Sequence, residues 1–406
     1  MSSAPDTILL PQSRQTTVQS GALTLLLFSI GHFLVDLYSG SMGIFQPLLI
    51  NRLGITLTQA GVLGGLLAFS SSIAQPLYGY LSDRFHSRLF SALAPAVAGV
   101  FIASLGGAAN FRWALIFAVL GGAGIASFHP QASVWAAAGM QVNRARWMSV
   151  FITAGTLGIA LSPAFYSSFV GLFGYERMLW TAVPGVLLSL ALLLLVRPPQ
   201  GAAHRRQSFD GNALRAVWRP LTILYCGVFF RSAVQVTYAQ FLALYLNRER
   251  GYPLSTAAWA LTLYLTAGAV GGFAGGYLAD RYGARRVILL SFALSIPFML
   301  FFFLSTGWLA IVSLALGGLI LLFTIPVNVV VAQQLAPSQA GTVSALLMGF
   351  AWGAAGLIFI PLTGFVAQRT SLHAALCSLL VFPVLGWILA HWLPHDLGRR
   401  KVEHYS

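Results

Sequence analysis

Long apolar stretches separated by short polar segments run along the whole chain. A helix needs about 20 apolar residues to cross the hydrocarbon core of a bilayer, and twelve stretches meet that length. Their predicted ranges are 21–50, 57–82, 89–109, 113–140, 148–171, 177–196, 218–247, 255–280, 287–306, 308–336, 341–368 and 373–394. Gly and Pro are frequent inside them, as membrane helices tolerate. The pattern predicts an all-α membrane protein with twelve transmembrane helices.

A charged turn that begins with glycine occurs twice in the chain. It reads Gly-Tyr-Leu-Ser-Asp-Arg at 79–84 and Gly-Tyr-Leu-Ala-Asp-Arg at 276–281, which is 197 positions later. Further matches at offsets of 196 to 198 are Pro130 with Pro326, Asn51-Arg52 with Asn247-Arg248, and the pattern Gly-x2-Gly-x4-Pro at 155–163 and 353–361. These matches indicate a duplication of six spans, an architecture that places a site between the two halves.

The repeat and the spans together predict five regions. They are a cytoplasmic tail at 1–20, a six-helix bundle at 21–196, a cytoplasmic linker at 197–217, a second bundle at 218–394 and a cytoplasmic tail at 395–406. The expected architecture is therefore two pseudo-symmetric six-helix halves.

Composition agrees with a chain that is covered by lipid. Of 406 residues, 57% are apolar and only 8% are charged, whereas a soluble chain carries about a quarter charged residues. The net charge of +14 is spread in short groups between spans, so no basic domain for nucleic acid is present.

The 23 Lys and Arg residues are unevenly distributed between the two sets of loops. With both termini cytoplasmic, 16 fall on the inside, six fall in outside loops and one lies within a span. The outside six are Arg52, Arg112, Arg177, Arg248, Arg250 and Arg369. This bias predicts the orientation, because Lys and Arg are retained on the cytoplasmic side.

Asp36 is the one acidic residue predicted to lie well within a span, and His32 precedes it by one helical turn. A carboxylate at this depth costs about 2.5–3.5 kcal/mol, so it needs water, a partner or a proton. The pair is predicted to couple transport to protons, since both groups can titrate near neutral pH. The alternative is a structural pair that holds span one in place.

Arg231 is the matching cation within span seven, and Gln235 and Tyr238 follow it on the same helix face. A guanidinium suits a carboxylate, phosphate or phosphonate, so these three residues are predicted to bind an anionic cargo. The alternative is a fixed salt bridge between Arg231 and Asp36.

Three further polar residues are predicted to contact cargo. His129 and Gln131 flank Pro130 in span four, where the proline frees a backbone carbonyl. Asn328 in span ten is a neutral candidate. For His129 the alternative is a histidine that neighbouring backbone groups satisfy.

The repeated motifs are predicted to be mechanical. The charged turns would act as a gating latch at the span ends, through Asp83, Arg84, Arg88, Asp280, Arg281 and Arg285. The Gly-x2-Gly-x4-Pro segments would let helices approach closely and bend, at Gly155, Gly158, Pro163, Gly353, Gly356 and Pro361. No metal-ligand spacing, phosphate loop or nucleophile motif is present, so no metal, no cofactor and no enzyme activity are expected.

The turns resemble the signature loop of the major facilitator superfamily. More narrowly, the chain resembles the fosmidomycin resistance family within it, in Gly31-His32-x3-Asp36, Ala126-Ser127-Phe128-His129-Pro130-Gln131-Ala132, Phe230-Arg231-Ser232, Ala332-Gln333-Gln334-Leu335-Ala336-Pro337 and Gly341-Thr342-Val343-Ser344-Ala345. The resemblance implies an inner-membrane efflux protein that exchanges protons for a small organic drug or metabolite, with a cavity between spans one, four, seven and ten. The expected cargo is anionic or zwitterionic, and the protein is expected to be a monomer. The alternatives are proton-driven uptake of a metabolite, a sensor that does not transport, and a passive facilitator.

Overall fold

The computed structural model describes residues 12–85, 87–138, 144–196 and 210–394. Most of the predicted tails and linker, namely 1–11, 197–209 and 395–406, lie outside the described residues. The described chain is almost entirely helical.

The first half is built from α1 to α8, and a short helix, α9, follows in the linker. Their bounds are α1 Gln12–Ser39, α2 Met42–Leu53, α3 Leu57–Ala68, α4 Gln75–Phe85, α5 Leu89–Ser104, α6 Phe111–Ala138, α7 Arg144–Phe173, α8 Val183–Leu195 and α9 Gly211–Ala216. The second half runs α10 Trp218–Arg248, α11 Leu254–Tyr282, α12 Ala284–Leu304, α13 Gly307–Leu321, α14 Thr324–Leu335, α15 Ala340–Ser344, α16 Ala351–Arg369, α17 Leu372–Ser378 and α18 Val381–Ala390.

Twelve transmembrane spans follow from these helices. In the described part of the chain, 11 helical segments are long and apolar enough to cross a bilayer. The remaining predicted span, 218–247, is the 31-residue helix α10, which is less apolar because it carries Arg231 and two glutamines near its middle. The predicted fold of two six-helix halves is confirmed.

Several spans are less regular than their apolar pattern predicts. Span one is interrupted between α1 and α2, where the Ser41 hydroxyl donates to the Tyr38 carbonyl at 2.7 Å. Spans two and eleven contain π-helical turns at Phe69–Ile73 and Ala345–Phe350. Such turns leave a residue outside the regular ladder and often mark functional regions. Hydrophobic periodicity does not reveal them.

The duplication is visible in matching contacts within each half. Gly79 faces Pro130, and a Cβ on the glycine would lie 3.4 Å from the proline ring. Gly276 faces Pro326 in the same way, at 3.8 Å. These two pairs stand at nearly the same offset as the sequence repeat, so the repeat reflects a duplicated packing arrangement.

The two halves contact each other mainly toward one end, which we name the Asn51 end. There Arg248 donates to Asn51 at 2.8 Å, and Gln46 donates to Gln240 at 3.3 Å. All hydrogen bonds between described side chains of opposite halves lie in this part of the bundle.

Glycines bring the backbones together in the same region. A Cβ on Gly61 would lie 2.7 Å from the Ile360 carbonyl oxygen, and one on Gly65 would lie 2.8 Å from the Pro361 ring. Small residues allow such close approach of membrane helices. The bundle is therefore closed at the Asn51 end. The opposite end, which carries the charged turns, is named the Gly79 end.

Candidate functional site

Asp36 lies in a compact cluster with two histidines. Helix α1 places His32 one turn before Asp36, and Nε2 of His32 is 3.3 Å from Oδ2 of Asp36. Helix α6 contributes His129, whose Nε2 lies 3.5 Å from Oδ1. His129, which sequence reasoning assigned to cargo, therefore contacts the carboxylate. No spacing signal links residues three spans apart, so this contact was missed.

The hydrogen bonding of His32 restricts where protons lie in this cluster. Nδ1 of His32 is 2.8 Å from the Phe151 carbonyl oxygen, and a carbonyl only accepts, so Nδ1 carries hydrogen. In a neutral His32, Nε2 would then point a lone pair at the carboxylate of Asp36. The contact is attractive only when a cation, such as a proton, lies between the two atoms.

The donor set could also hold a metal ion. One ligand atom from each of His32, Asp36 and His129 lies within 4.8 Å of the others, and imidazole with carboxylate suits several divalent ions. The sequence-based expectation of no metal-ligand cluster rested on spacing along the chain, which does not register three residues that folding brings together.

Helix α7 closes one side of this cluster. The Phe151 ring stacks on His32 with centroids 4.3 Å apart, and a Cβ on Gly155 would lie 2.6 Å from Oδ2 of Asp36. The exposed fractions of the side chains are 13% for His32, 11% for Asp36 and 21% for His129. His129 is therefore the most accessible member.

The repeated glycine motifs lie at helix contacts. A Cβ on Gly158 would lie 3.0 Å from the Leu37 nitrogen, and one on Gly356 would lie 2.6 Å from Cβ of Ala68. Gly353 packs against Ile73 in the π-helical turn of span two. Pro163 and Pro361 lie inside the continuous helices α7 and α16, and the bending predicted for these segments remains a prediction.

Arg231 occupies a second polar centre in the other half. It is only 5% exposed and borders a cavity of about 190 Å³. The cavity is lined by Val228, Arg231, Gln235, Ile325, Val329, Leu347, Met348 and Trp352. Span eleven contributes three of these residues, none of which sequence reasoning selected, because an apolar wall residue looks the same as a core residue in the sequence.

The guanidinium of Arg231 is only partly satisfied. Nη1 donates to Gln235 at 2.7 Å and Nη2 donates to the Ser232 hydroxyl at 3.2 Å. Nε is buried and has no hydrogen-bond partner among the described residues. No described carboxylate forms an ion pair with Arg231, so the alternative of a fixed salt bridge to Asp36 is not realised in this structure.

Three predicted cargo residues do not line this cavity. The Tyr238 hydroxyl donates to the Leu376 carbonyl at 3.2 Å, which turns it away from Gln235. The Gln131 amide accepts from Ser91 and donates to the Ser87 carbonyl, so it joins span four to the preceding turn. Asn328 is 2% exposed within α14 and is not among the cavity lining.

Each charged turn forms a hydrogen bond to the end of the last helix of its own half. Arg88 donates to the Val196 carbonyl at 2.8 Å, and Arg285 donates to the His391 carbonyl at 2.8 Å. A cation is favourable at a helix C-terminus, where carbonyls lack partners. These contacts repeat between the halves.

Three further latch residues, Arg84, Asp280 and Arg281, are exposed at the Gly79 end. Arg84 contacts the Tyr80 hydroxyl at 3.1 Å, and Arg281 lies over the Tyr282 ring. Asp280 is exposed, and the side chain of Asp83 lies outside the described residues. The described contacts of these residues stay within each half, and gating by the turns remains a prediction.

Asp36 and Arg231 thus form two centres, one in each half. Asp36 has the histidines, and Arg231 has the cavity, whose lining residues all come from the second half. Spans seven and ten, two of the four spans that the resemblance implies around a central cavity, both line the cavity beside Arg231. Its extension to spans one and four stays a prediction.

Comparisons with known proteins agree with this fold. The chain matches the Major Facilitator Superfamily over residues 28–258 and 224–404. It is 28% identical to the uncharacterized MFS-type transporter YfnC of Bacillus subtilis (strain 168), over 96% of this chain and 98% of that one. It is 26% identical to the fosmidomycin resistance protein of Escherichia coli (strain K12), over 98% of each chain.

Solved structures show the same architecture at low identity. A bacterial homolog of the human lysosomal transporter Spinster, in an inward-facing and occupied conformation, has a TM-score of 0.79 at 17% identity, covering 91% of this chain and 96% of that one. The nucleoside transporter NupG has a TM-score of 0.72 at 14% identity, covering 92% and 97%. With its duplicated six-helix halves and a family match along nearly its whole length, this chain belongs to the Major Facilitator Superfamily of membrane transporters.

Proposed function

We propose that the protein is a proton-coupled antiporter that exports a small anionic or zwitterionic organic compound by alternating access. In this proposal Asp36 and His32 take up and release the proton, and Arg231 with Gln235 holds the cargo. The membrane is a bacterial-type inner membrane, with both termini in the cytoplasm, and the working unit is a monomer.

The observation that carries the proposal is the contact between His32 and Asp36. Because the carbonyl of Phe151 fixes hydrogen on Nδ1, the 3.3 Å contact between Nε2 and the carboxylate favours a state with a proton between them. A site that is stable with a proton and strained without one can couple proton binding to a change in helix packing. The helix whose packing would change is α7, because its Gly155 lies directly against His32 and Asp36.

His129 joins the proton site in this proposal. It contacts the second carboxylate oxygen and is the most exposed of the three side chains, so protons would reach Asp36 past its ring. Its earlier assignment to cargo is replaced by this role. Histidine suits such a relay because its charge changes between pH 5 and 8.

Arg231 supports an anionic cargo. A buried guanidinium with no carboxylate partner is costly, and its Nε–H has no acceptor among the described residues. An oxyanion bound in the adjoining cavity would supply both the charge and the acceptor. Tyr238, Gln131 and Asn328, with partners or positions elsewhere, would support the surrounding helices.

The closed Asn51 end gives the proposed cycle a starting state. The charge bias assigns the Gly79 end to the cytoplasm, so a bundle closed at the Asn51 end is accessible from inside, as loading for export requires. The turns at Asp83–Arg88 and Asp280–Arg285 would close the Gly79 end in the opposite state. Export of an anion also gains about 2.3 kcal/mol per charge per 100 mV of inside-negative potential.

The relatives are consistent with this function. One is a fosmidomycin resistance protein, and others, including one from Serratia proteamaculans (strain 568), carry the name multidrug resistance protein MdtG. Resistance to a toxic compound by a membrane transporter is the result expected of export.

The test begins with susceptibility. Cells with and without the protein are challenged with toxic anions and toxic cations, and protection against anions is expected. The selected compound is then supplied to proteoliposomes that contain the purified protein and a trapped pH-sensitive dye, with a chelator present so that no metal ion replaces the proton. Cargo movement in one direction should drive proton movement in the other.

Each rival predicts a different result in the same preparation. Uptake would move the proton and the cargo in the same direction. A sensor would bind the compound without flux. With a passive facilitator, the accumulation of cargo would be the same before and after the pH gradient is collapsed. Any of these three outcomes would overturn the proposal.

A further inference from the structure

The cavity beside Arg231 has a polar side and an apolar side, and this difference bears on which cargo it binds. One side offers the guanidinium and the amide of Gln235, and the rest is mostly aliphatic. Val228, Ile325, Val329, Leu347 and Met348 supply the aliphatic lining, and Trp352 adds an indole. The side chains on this wall include no carboxylate and no hydroxyl.

The described hydrogen bonds of Arg231 leave several of its N–H donors unused, Nε–H among them. A guanidinium has five N–H donors, and the described contacts use one on Nη1 and one on Nη2. In any arginine, Nε–H and one Nη2 hydrogen lie along the same edge of the planar group, and in Arg231 no described residue accepts from Nε–H. Two parallel donors of this kind match the two oxygens of a carboxylate, sulfonate or phosphonate.

The amide of Gln235 is the one other polar side chain beside Arg231 in this cavity, apart from the Trp352 indole. Its oxygen already accepts from Arg231, which leaves one lone pair and the two N–H donors of its NH₂ group. The Trp352 indole adds one N–H. A cargo with many hydroxyl groups would therefore lose water along the aliphatic lining without finding enough partners.

From this arrangement we infer that the cavity selects organic monoanions with a hydrophobic body and discriminates against polyhydroxylated acids of the same size. Arg231 binds the anionic head, and the aliphatic wall with Trp352 takes the body. This inference rests on the proposed role of the cavity as the cargo site. It adds a selectivity that the anion site alone does not imply.

Hexanoate and gluconate provide a matched pair of probes. Both are six-carbon monocarboxylates, and they differ chiefly in hydroxylation. Binding is measured by titration calorimetry on the purified full-length protein in lipid nanodiscs, at a fixed pH, so no proton flux is needed. Hexanoate is expected to bind at least about ten-fold more tightly than gluconate, and each methylene added up to octanoate should strengthen binding by about three- to four-fold.

Two variants connect the preference to the two parts of the cavity. Arg231→Gln should abolish the advantage of hexanoate over neutral 1-hexanol, and Trp352→Ala should flatten the dependence on chain length while binding of acetate is unchanged. Trp308→Ala, at a residue that is 71% exposed, is the matched control and should retain the parent profile. Thermal unfolding of each variant shows that it is folded.

Equal or tighter binding of gluconate would overturn the inference, as would a chain-length dependence that survives in Trp352→Ala. Those results would leave proton-coupled export of an anion intact. Conversely, absence of proton exchange in proteoliposomes together with the predicted hexanoate preference would overturn the transport mechanism and keep the selectivity.

Discussion

Gly155 leaves no room for a side chain beside Asp36. A Cβ at Gly155 would lie 2.6 Å from the carboxylate oxygen Oδ2, and it would also collide with Nε2 of His32. The absent side chain lets α7 lie directly against the acidic residue of α1. A change in the charge or hydration of Asp36 is therefore expected to alter the packing of α7. Helix α7 also contacts the second half, where the Ala164 N–H donates to the Thr262 hydroxyl of α11.

Gly155→Ala is expected to abolish coupling by displacing the Asp36 cluster. Overpacking of this kind costs about 1–3 kcal/mol, so a lower thermal stability of the purified protein is expected together with loss of proton-driven export. Gly171→Ala in the same helix is the control, because no atom lies within 4 Å of the added carbon. If both variants transport as the parent does, α7 does not transmit the state of Asp36.

Asp36→Asn is expected to abolish proton-coupled export while expression stays near normal. The amide keeps the size of the carboxyl group and cannot take up a proton. Flux is measured in vesicles under an imposed pH gradient, with Asp210→Asn as the control. Asp210 caps α9 through two backbone N–H groups, and asparagine caps about equally well. Export by Asp36→Asn at the parental rate would assign Asp36 a purely structural role.

Arg231→Gln is expected to weaken the binding of anionic cargo by about 10- to 100-fold, because a charge-assisted hydrogen bond is lost. Neutral cargo should change little. Arg231→Lys keeps the charge without the planar fork, so it should recover only part of the affinity. The exposed Arg219, the second residue of the same helix, lies over the Trp218 ring and supplies Arg219→Gln as a control. Equal losses for anionic and neutral cargo would contradict an anion site.

The hydrogen bond from Arg248 to Asn51 joins the two copies of a repeated dipeptide across the halves. Its removal in Arg248→Ala should shift the population toward opening at the Asn51 end, since one such bond contributes about 0.5–1.5 kcal/mol. Spin labels at Ala109 and Thr306, in a background without Cys226 and Cys377, would report longer distances by pulsed electron resonance.

Arg112→Ala is the control for this measurement, because Arg112 is exposed on the same side and forms no described hydrogen bond to the other half. An unchanged distance distribution in Arg248→Ala would show that packing at Gly61 and Gly65 alone closes this end.

The fold was predictable from sequence because its two signals are strong and extend over the whole chain. Apolar length defines spans, and the recurrence of Gly79 with Gly276 and of Pro130 with Pro326 reports the duplication. The structure explains why these residues recur, since each glycine faces its proline. The π-helical turns were not predictable, because hydrophobic periodicity does not register a local change in hydrogen-bond spacing within a helix.

The candidate site was only partly predictable. Asp36 and Arg231 stand out because charge is rare within spans, but the partner of each is decided by helix rotation and interhelical packing. His129 therefore lies at Asp36, and Tyr238 faces Leu376, although both were assigned to cargo. Trp352 carried no distinguishing signal, since a tryptophan in an apolar stretch is equally suited to lipid, core or cavity.

The hydrogen bonds from Arg88 to Val196 and from Arg285 to His391 join each charged turn to the last helix of its half, a peripheral helix most of whose surface is not buried in the bundle. Any movement of a turn must therefore carry that peripheral helix along, at the border with the surrounding phospholipid. Bilayer thickness and headgroup crowding would then enter the energetics of the cycle, and the rate of turnover would depend on the host lipid as well as on the gradient.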